Sequence, residues 1–172
     1  PRPRAARAFL VQGVCTGVFA LTGAGLYEPN LWWLSPLHLL MQAVFPAAFI
    51  HLGLVFPVER RFVTRRPAWI AVPYVLAAAL AAWAIVGFYA EPPVLTGLYC
   101  AYYFTALAIV TLIALAAWAY VEHRTPQVRP TLHAVLPGLV VGTVVALYGF
   151  LNISRGGGDF LMNLIALGPA FF

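Results

Sequence analysis

The chain has 172 residues, of which 63% are hydrophobic and 9% are charged, whereas ordinary soluble domains have about half and about a quarter. A water-soluble core of this size could not bury so much apolar surface, so the composition excludes a soluble globular domain. The net charge of +5 does not indicate nucleic-acid binding, because the ten arginines are divided among short segments between apolar runs.

The arginine distribution predicts how the chain is oriented in a membrane. Nine of the ten arginines lie before the first apolar run, after the second or after the fourth. Since cytoplasmic loops carry the arginine and lysine excess, the N-terminus and these loops are expected inside. Arginines in the loops are also expected to contact anionic lipid headgroups: Arg60, Arg61, Arg65, Arg66, Arg124 and Arg129.

Six stretches approach or meet the roughly 20 apolar residues that a spanning helix needs. The predicted helices cover about residues 8–27, 37–56, 68–90, 94–121, 134–153 and 161–172. The turn Glu91-Pro92-Pro93 leaves room only for a reversal, so the third and fourth helices should be antiparallel neighbours. The sequence therefore predicts an all-α polytopic membrane bundle of about six helices over residues 1–172, with both termini cytoplasmic. Because the chain begins at Pro1 and stops inside an apolar run, we expect it to be part of a longer protein.

Histidine is the first residue type to consider as a cofactor ligand, and His38 and His51 both lie on the second predicted helix. His51 is a weak candidate for ligation of a haem or pigment. The favoured interpretation is a hydrogen bond from His51 to a neighbouring helix, since polar groups in lipid must find a partner. His38 is expected at the interface, where its helix starts. No cofactor or metal site is predicted.

The sequence shows neither acidic residues at membrane depth nor a recognisable catalytic motif. All five acidic residues fall at helix ends or in loops, so proton relays and charge-coupled transport lack their usual residues. A phosphate-binding glycine loop, a nucleophile beside a base and a carboxylate pair are also not found. We therefore expect that the chain is not an enzyme.

Small and aromatic residues give the remaining candidates. The pairs Gly13/Gly17 and Gly138/Gly142 have the small-xxx-small spacing that lets two membrane helices approach closely. Four aromatic residues cluster on the fourth predicted helix, where they either line an apolar pocket or pack against neighbouring helices: Tyr99, Tyr102, Tyr103 and Phe104.

Two stretches resemble the multi-helix membrane regions at the head of many bacterial histidine kinases. Residues 45–61, FPAAFIHLGLVFPVERR, resemble a segment in which a helix ends in a Phe-Pro step before basic residues. Residues 128–169 resemble the later part, where a basic loop enters a helix through a Leu/Gly-rich segment and the last helix contains a proline. The matching positions are His51, Phe56, Pro57, Arg60, Arg61, Arg129, Gly138, Gly142 and Pro169.

This resemblance implies a seven-transmembrane-type sensor domain in a bacterial cytoplasmic membrane, followed in that family by cytoplasmic output modules such as a GAF domain and a kinase. The present sequence contains no phospho-accepting histidine helix and no nucleotide-binding domain. We therefore expect a non-catalytic sensory or anchoring module, in which the fourth-helix aromatics and the Gly138 to Gly142 crossing form the movable contact. The alternative is an accessory subunit docked on a photosynthetic or respiratory complex, where it could contact a pigment or haem.

Overall fold

The computed structural model describes residues 3–23, 33–56, 59–94 and 96–122. In this part of the chain every regular element is helical, which confirms the predicted all-α class. The helices are α1 (Pro3–Thr22), α2 (Ser35–Val55), α3 (Arg61–Arg65), α4 (Ala71–Phe88) and α5 (Thr96–Glu122). A 3-10 turn, Pro67–Ile70, leads into α4. The fifth and sixth predicted helices, with Arg124, Arg129, Gly138 and Gly142, lie outside the described residues.

Four helical segments in the described ranges are long and apolar enough to cross a membrane. They contain 19, 21, 22 and 27 residues and correspond to α1, α2, α4 with its 3-10 turn, and α5. About 20 residues at 1.5 Å each match the thickness of the hydrocarbon layer. The chain is therefore a helical membrane protein by the length and composition of these segments.

The helix ends differ from the predicted ones where charge was used to place them. Helix α1 begins at Pro3 rather than near residue 8, so Arg4 and Arg7 lie inside its first turns. Backbone hydrogen bonding does not stop at the hydrocarbon boundary, and long arginine side chains can reach the headgroups from within a helix. Helix α2 ends at Val55, because Phe56 precedes a proline and is extended, with φ −126° and ψ 144°.

Contacts divide the chain into two compact units, Pro1–Leu112 and Ile113–Phe172, and α5 runs from the first into the second. In the second unit the described residues are the end of α5, where Ala116 and Ala119 are buried and Trp118 is exposed. The single bundle over residues 1–172 stays a prediction. The site described below lies entirely in the first unit.

Helix α2 is the central helix of the first unit. It packs against both α1 and α4, and 67% of its span is buried within the protein, against 28% for each of the other three spans. The helix continues through Pro46. A proline is tolerated inside a membrane helix because neighbouring helices compensate for the missing backbone bond.

The interface between α1 and α2 is built from aromatic rings. Phe9 meets Phe56 edge-on with ring centroids 4.9 Å apart, and Phe19 packs on Phe45 at 4.7 Å. Since Phe9 and Phe19 meet residues in the reverse order along α2, the two helices are antiparallel. Cys15 is buried beside Phe45 in the same interface.

The interface between α2, α4 and α5 is built from small residues. Ala43 and Ala47 of α2 and Ala77 and Ala81 of α4 are buried together, and Phe104 of α5 completes the cluster. Each alanine pair has four-residue spacing, so each presents two small side chains on one helix face. This spacing lets the helix axes approach closely.

The hairpin between α4 and α5 is also closely packed, as its short turn predicts. A Cβ added at Gly97 would lie 2.7 Å from the backbone nitrogen of Ala84, and one added at Gly87 would overlap the carbonyl oxygen of Val94. The Val94 N–H donates to the Gly87 carbonyl at 2.8 Å. The two helices are therefore direct neighbours at a separation that only glycine permits at these positions.

Candidate functional site

Three polar side chains of α2 each bond to a different neighbouring helix. His38 bonds to Thr22 of α1 at 3.2 Å. Gln42 bonds to Thr105 of α5 at 3.2 Å, and His51 bonds to Tyr74 of α4 at 3.0 Å. We call these contacts the three interhelical bonds of α2: His38–Thr22, Gln42–Thr105 and His51–Tyr74. They connect the central helix to every other described spanning helix.

His38 lies in the first turn of α2 and is only 4% exposed. Its imidazole stacks on Phe19 with ring centroids 4.6 Å apart. The Thr22 hydroxyl carries one proton, so when it donates to the Val18 carbonyl at 2.8 Å, Nδ1–H of His38 donates to the Thr22 oxygen. The structure confirms that His38 lies at the start of a helix. Its side chain packs against α1, and its location at the membrane interface stays a prediction.

Gln42 is 1% exposed and lies in the middle of α2. Its amide Nε2–H donates to the Thr105 hydroxyl, which in turn donates to the Ala101 carbonyl of α5 at 3.0 Å. Among the described residues Oε1 of Gln42 has no hydrogen-bond partner. Pro46, four residues later, lacks the N–H that would otherwise bond to the Gln42 main-chain carbonyl. The centre of α2 therefore has fewer hydrogen bonds than a regular helix, and helices bend most easily at such points.

His51 and Tyr74 connect the last turns of α2 to the start of α4. The imidazole Nδ1 lies 3.0 Å from the tyrosine hydroxyl, and the rings meet edge-on at 5.9 Å. This is the interhelical bond that the favoured interpretation of His51 predicts. No group of three His, Cys, Asp or Glu side chains in the described ranges could hold a metal ion. Ligation of a haem or pigment by His51 stays a prediction of the alternative interpretation.

The predicted glycine pair of α1 lies away from the described interfaces. A Cβ added at Gly13 or Gly17 would meet no atom within 4 Å. The close crossings involve instead the alanine pairs of α2 and α4, and Gly97 beside Ala84. The four-residue spacing of Ala43 and Ala47 can be read in the sequence, but alanine is so common in this chain that the pair does not stand out. A crossing at Gly13 and Gly17 would have to involve residues outside the described ranges or another chain.

The four aromatic residues predicted on one helix do not share one environment. Phe104 is 6% exposed and belongs to the alanine cluster. Tyr99 and Tyr103 are exposed, and Tyr102 is half-buried. Phe104 is thus buried within the described structure, whereas Tyr99 and Tyr103 are not. Its packing role fits the interpretation in which these residues contact neighbouring helices, and a pocket formed by all four stays a prediction.

The basic residues of the first unit gather where α1 begins and α2 ends. Arg4 forms an ion pair with Glu59, which places the start of α1 beside the segment after α2. Arg60 is buried, whereas Arg61, Arg65 and Arg66 are exposed. The four described arginines among those predicted to contact lipid therefore divide into one that packs inward and three on the surface. The short helix α3 that carries them was not predicted, because a five-residue helix has too little periodicity to detect.

Chemically, this arrangement can hold helices in register and release them at small cost. Each interhelical bond joins neutral side chains, and such bonds within a membrane contribute about 0.6 kcal/mol on average. Comparison of the chain with models of protein families, with curated proteins and with solved structures gave no match. We therefore infer the function from the geometry of the described helices.

Proposed function

We propose that the chain is a non-catalytic sensory or anchoring module of a bacterial cytoplasmic membrane, with six crossings and both ends cytoplasmic. The observation that supports a sensory role is the set of three interhelical bonds of α2. A displacement of α2 relative to α4 and α5 changes its contacts with both of these helices together. A central helix so connected can transmit a small movement from lipid or a partner to the cytoplasmic side.

Two packings of similar free energy are needed for such a response, and a few kcal/mol between them suffices. The alanine cluster supports this requirement, because small side chains make few interlocking contacts that a sliding helix must break. The interhelical bonds are also individually weak. The signal in this proposal is a lipophilic ligand, the state of the membrane or a partner helix.

A reporter kinase fused after Phe172 tests the sensory role. We expect Thr105→Val, which removes the bond from Gln42, to change the basal output of the kinase at least twofold. The matched control is Thr111→Val, because the Thr111 hydroxyl donates to the Leu107 carbonyl of its own helix at 2.7 Å. Equal output from both variants would contradict the proposal. Gly142→Leu, at the crossing expected from the sequence, should also change the output.

The orientation in the membrane needs its own test. In a background with Cys15→Ala and Cys100→Ala, we expect Arg65→Cys to react with a membrane-impermeant maleimide only after the cells are opened. Glu91→Cys, in the turn between α4 and α5, should react in intact cells. Labelling of position 65 from outside would show that the orientation is the reverse of the proposed one. It would also remove the support for a cytoplasmic output.

An accessory subunit of a larger membrane complex is the second candidate. Large rings on the surface of α4 and α5, among them Trp83 and Tyr103, are exposed and could contact another subunit as well as lipid. Purification in mild detergent separates the candidates. Co-purification at fixed stoichiometry with a pigment- or haem-containing complex favours the subunit, and isolation of a longer product that carries a kinase favours the sensor.

A further inference from the structure

The segment between α2 and α4 is folded onto the end of α2. The Arg60 N–H donates to the Leu54 carbonyl at 3.2 Å, and the Arg60 carbonyl accepts from the N–H groups of Val63 and Thr64, each at 3.0 Å. The Thr64 hydroxyl donates to the same carbonyl at 3.1 Å. The Val63 side chain is fully buried. The backbone and one anchoring side chain thus hold residues 60–70 in a defined conformation.

The outer face of this segment combines aromatic rings with guanidinium groups. Phe62 and Trp69 are 46% and 49% exposed, and Arg61, Arg65 and Arg66 are exposed beside them in sequence. The one acidic residue among residues 59–70 is Glu59, and it pairs with Arg4. The three exposed arginines therefore have no carboxylate to pair with inside the segment.

We propose that this face is a docking surface for anionic phospholipid headgroups. We call it the basic rim: Arg61, Phe62, Arg65, Arg66 and Trp69. Tryptophan rings prefer the headgroup level of a bilayer, and guanidinium groups bind phosphate oxygens through paired hydrogen bonds. The basic rim runs from the segment after α2 into the first turn of the next spanning segment, which is the level where headgroups are found.

A lipid surface fits this face better than a soluble anion does. A free phosphate would use the arginines but would leave Phe62 and Trp69 in water. A phospholipid supplies both the phosphate and an apolar boundary for the two rings. Contact between this face and lipid does not depend on the sensory role.

The test measures which lipid lies next to Trp69 in the full chain reconstituted in nanodiscs. The other four tryptophans are replaced by phenylalanine, and Trp69 fluorescence is quenched by brominated phosphatidylglycerol or by brominated phosphatidylcholine at equal mole fraction. We expect phosphatidylglycerol to be enriched around Trp69 by roughly twofold to fivefold, as one or more interfacial arginines would produce. Equal quenching by the two lipids would overturn the proposal.

Two controls assign the preference to the arginines and to lipid. A protein that keeps Trp83 as its only tryptophan should show no preference, because Trp83 is equally exposed, at 48%, but lies within the apolar part of α4. Replacement of Arg61, Arg65 and Arg66 by glutamine should abolish the preference at Trp69, while replacement by lysine should retain most of it. A preference that survives the glutamine variant, or that soluble glycerol phosphate removes, would contradict a lipid-docking role for the basic rim.

Discussion

The two sides of α2 are packed in opposite ways. Toward α1 the contact consists of interleaved rings, with Phe19 placed between Phe45 and His38. Toward α4 and α5 the buried cluster consists of four alanines and Phe104, with larger side chains such as Ile50 and Tyr74 packed against it. Interleaved rings must separate before the helices can shift. Alanine side chains make fewer interlocking contacts, so less contact is lost when one helix slides on the other. We therefore infer that α1 and α2 move as a pair and that α4 and α5 move against them.

The largest expected effect comes from removing a ring from the contact between α1 and α2. Phe45→Ala should lower the free energy of unfolding by about 2 kcal/mol, since the same change in a soluble core costs about 3–5 kcal/mol and lipid chains replace part of the lost contact. The control is Leu37→Ala on the same helix, where the leucine is exposed and little should change. Unfolding in mixed micelles measures both. Similar losses for the two variants would show that the rings do not hold α1 to α2.

A smaller loss is expected when the close helix approach is disturbed. Gly97→Ala should lower the free energy of unfolding by about 1–2 kcal/mol, because the new methyl group would lie 2.7 Å from the backbone of Ala84 and the hairpin must open. Gly13→Ala is the matched change in open space, and should be neutral or stabilising because alanine favours helix. The same micelle unfolding assay reports both. A stabilising Gly97→Ala would mean that α4 and α5 are further apart than described.

Loss of the bond between Gln42 and Thr105 should lower the free energy of unfolding by about 1 kcal/mol. The cost should depend on which of the two partners is replaced. Thr105→Val leaves the whole buried amide of Gln42 without a described partner, and an unsatisfied buried group costs about 1–3 kcal/mol in soluble proteins and less in lipid. Gln42→Leu removes the donor together with its unpartnered carbonyl, so its cost should be smaller. The double variant should be no less stable than Thr105→Val alone. A larger cost for Gln42→Leu would indicate a further partner for the Gln42 amide.

The smallest effect concerns the bond between α2 and α4. Tyr74→Phe keeps the ring contact with His51 but removes the hydroxyl, so it should cost about 0.6 kcal/mol, the average for such a bond in a membrane. The corresponding change on the other side of α2 is Thr22→Val, which removes the hydroxyl that bonds to His38. We expect both effects to be similar in unfolding free energy. Of these two variants, Tyr74→Phe alone should alter the output of a fused reporter kinase, because α4, unlike α1, is expected to move against α2.

Sequence reasoning identified the four spanning helices that the structure describes, but not the contacts between them. The Phe56-Pro57 step and the Glu91-Pro92-Pro93 turn are local signals, and the structure places helix ends beside both. Helix contacts depend instead on which face of each helix is turned inward. In an apolar span, lipid-facing and buried positions have the same composition, so the sequence does not separate Ala77 from its exposed neighbour Ala78.

The polar residues show the same limit. Gln42, Thr105 and His51 were recognisable as polar groups that need a partner in lipid, but their partners lie on other helices and follow only from the packing. Arg60 could not be distinguished from Arg61 in sequence, although one is buried and the other exposed. Which side chains pair depends on how the helices pack in three dimensions, and this packing cannot be read from a single sequence.

The most direct test of the account compares two distances that share one labelled site. In a cysteine-free background, spin labels at Leu21, Leu40 and Val86, which are all exposed, report the α1–α2 and α2–α4 separations by pulsed electron paramagnetic resonance. Nanodiscs with shorter and longer acyl chains supply the perturbation. We expect the distance between positions 40 and 86 to change while that between 21 and 40 stays constant. An equal or larger change between positions 21 and 40 would contradict it.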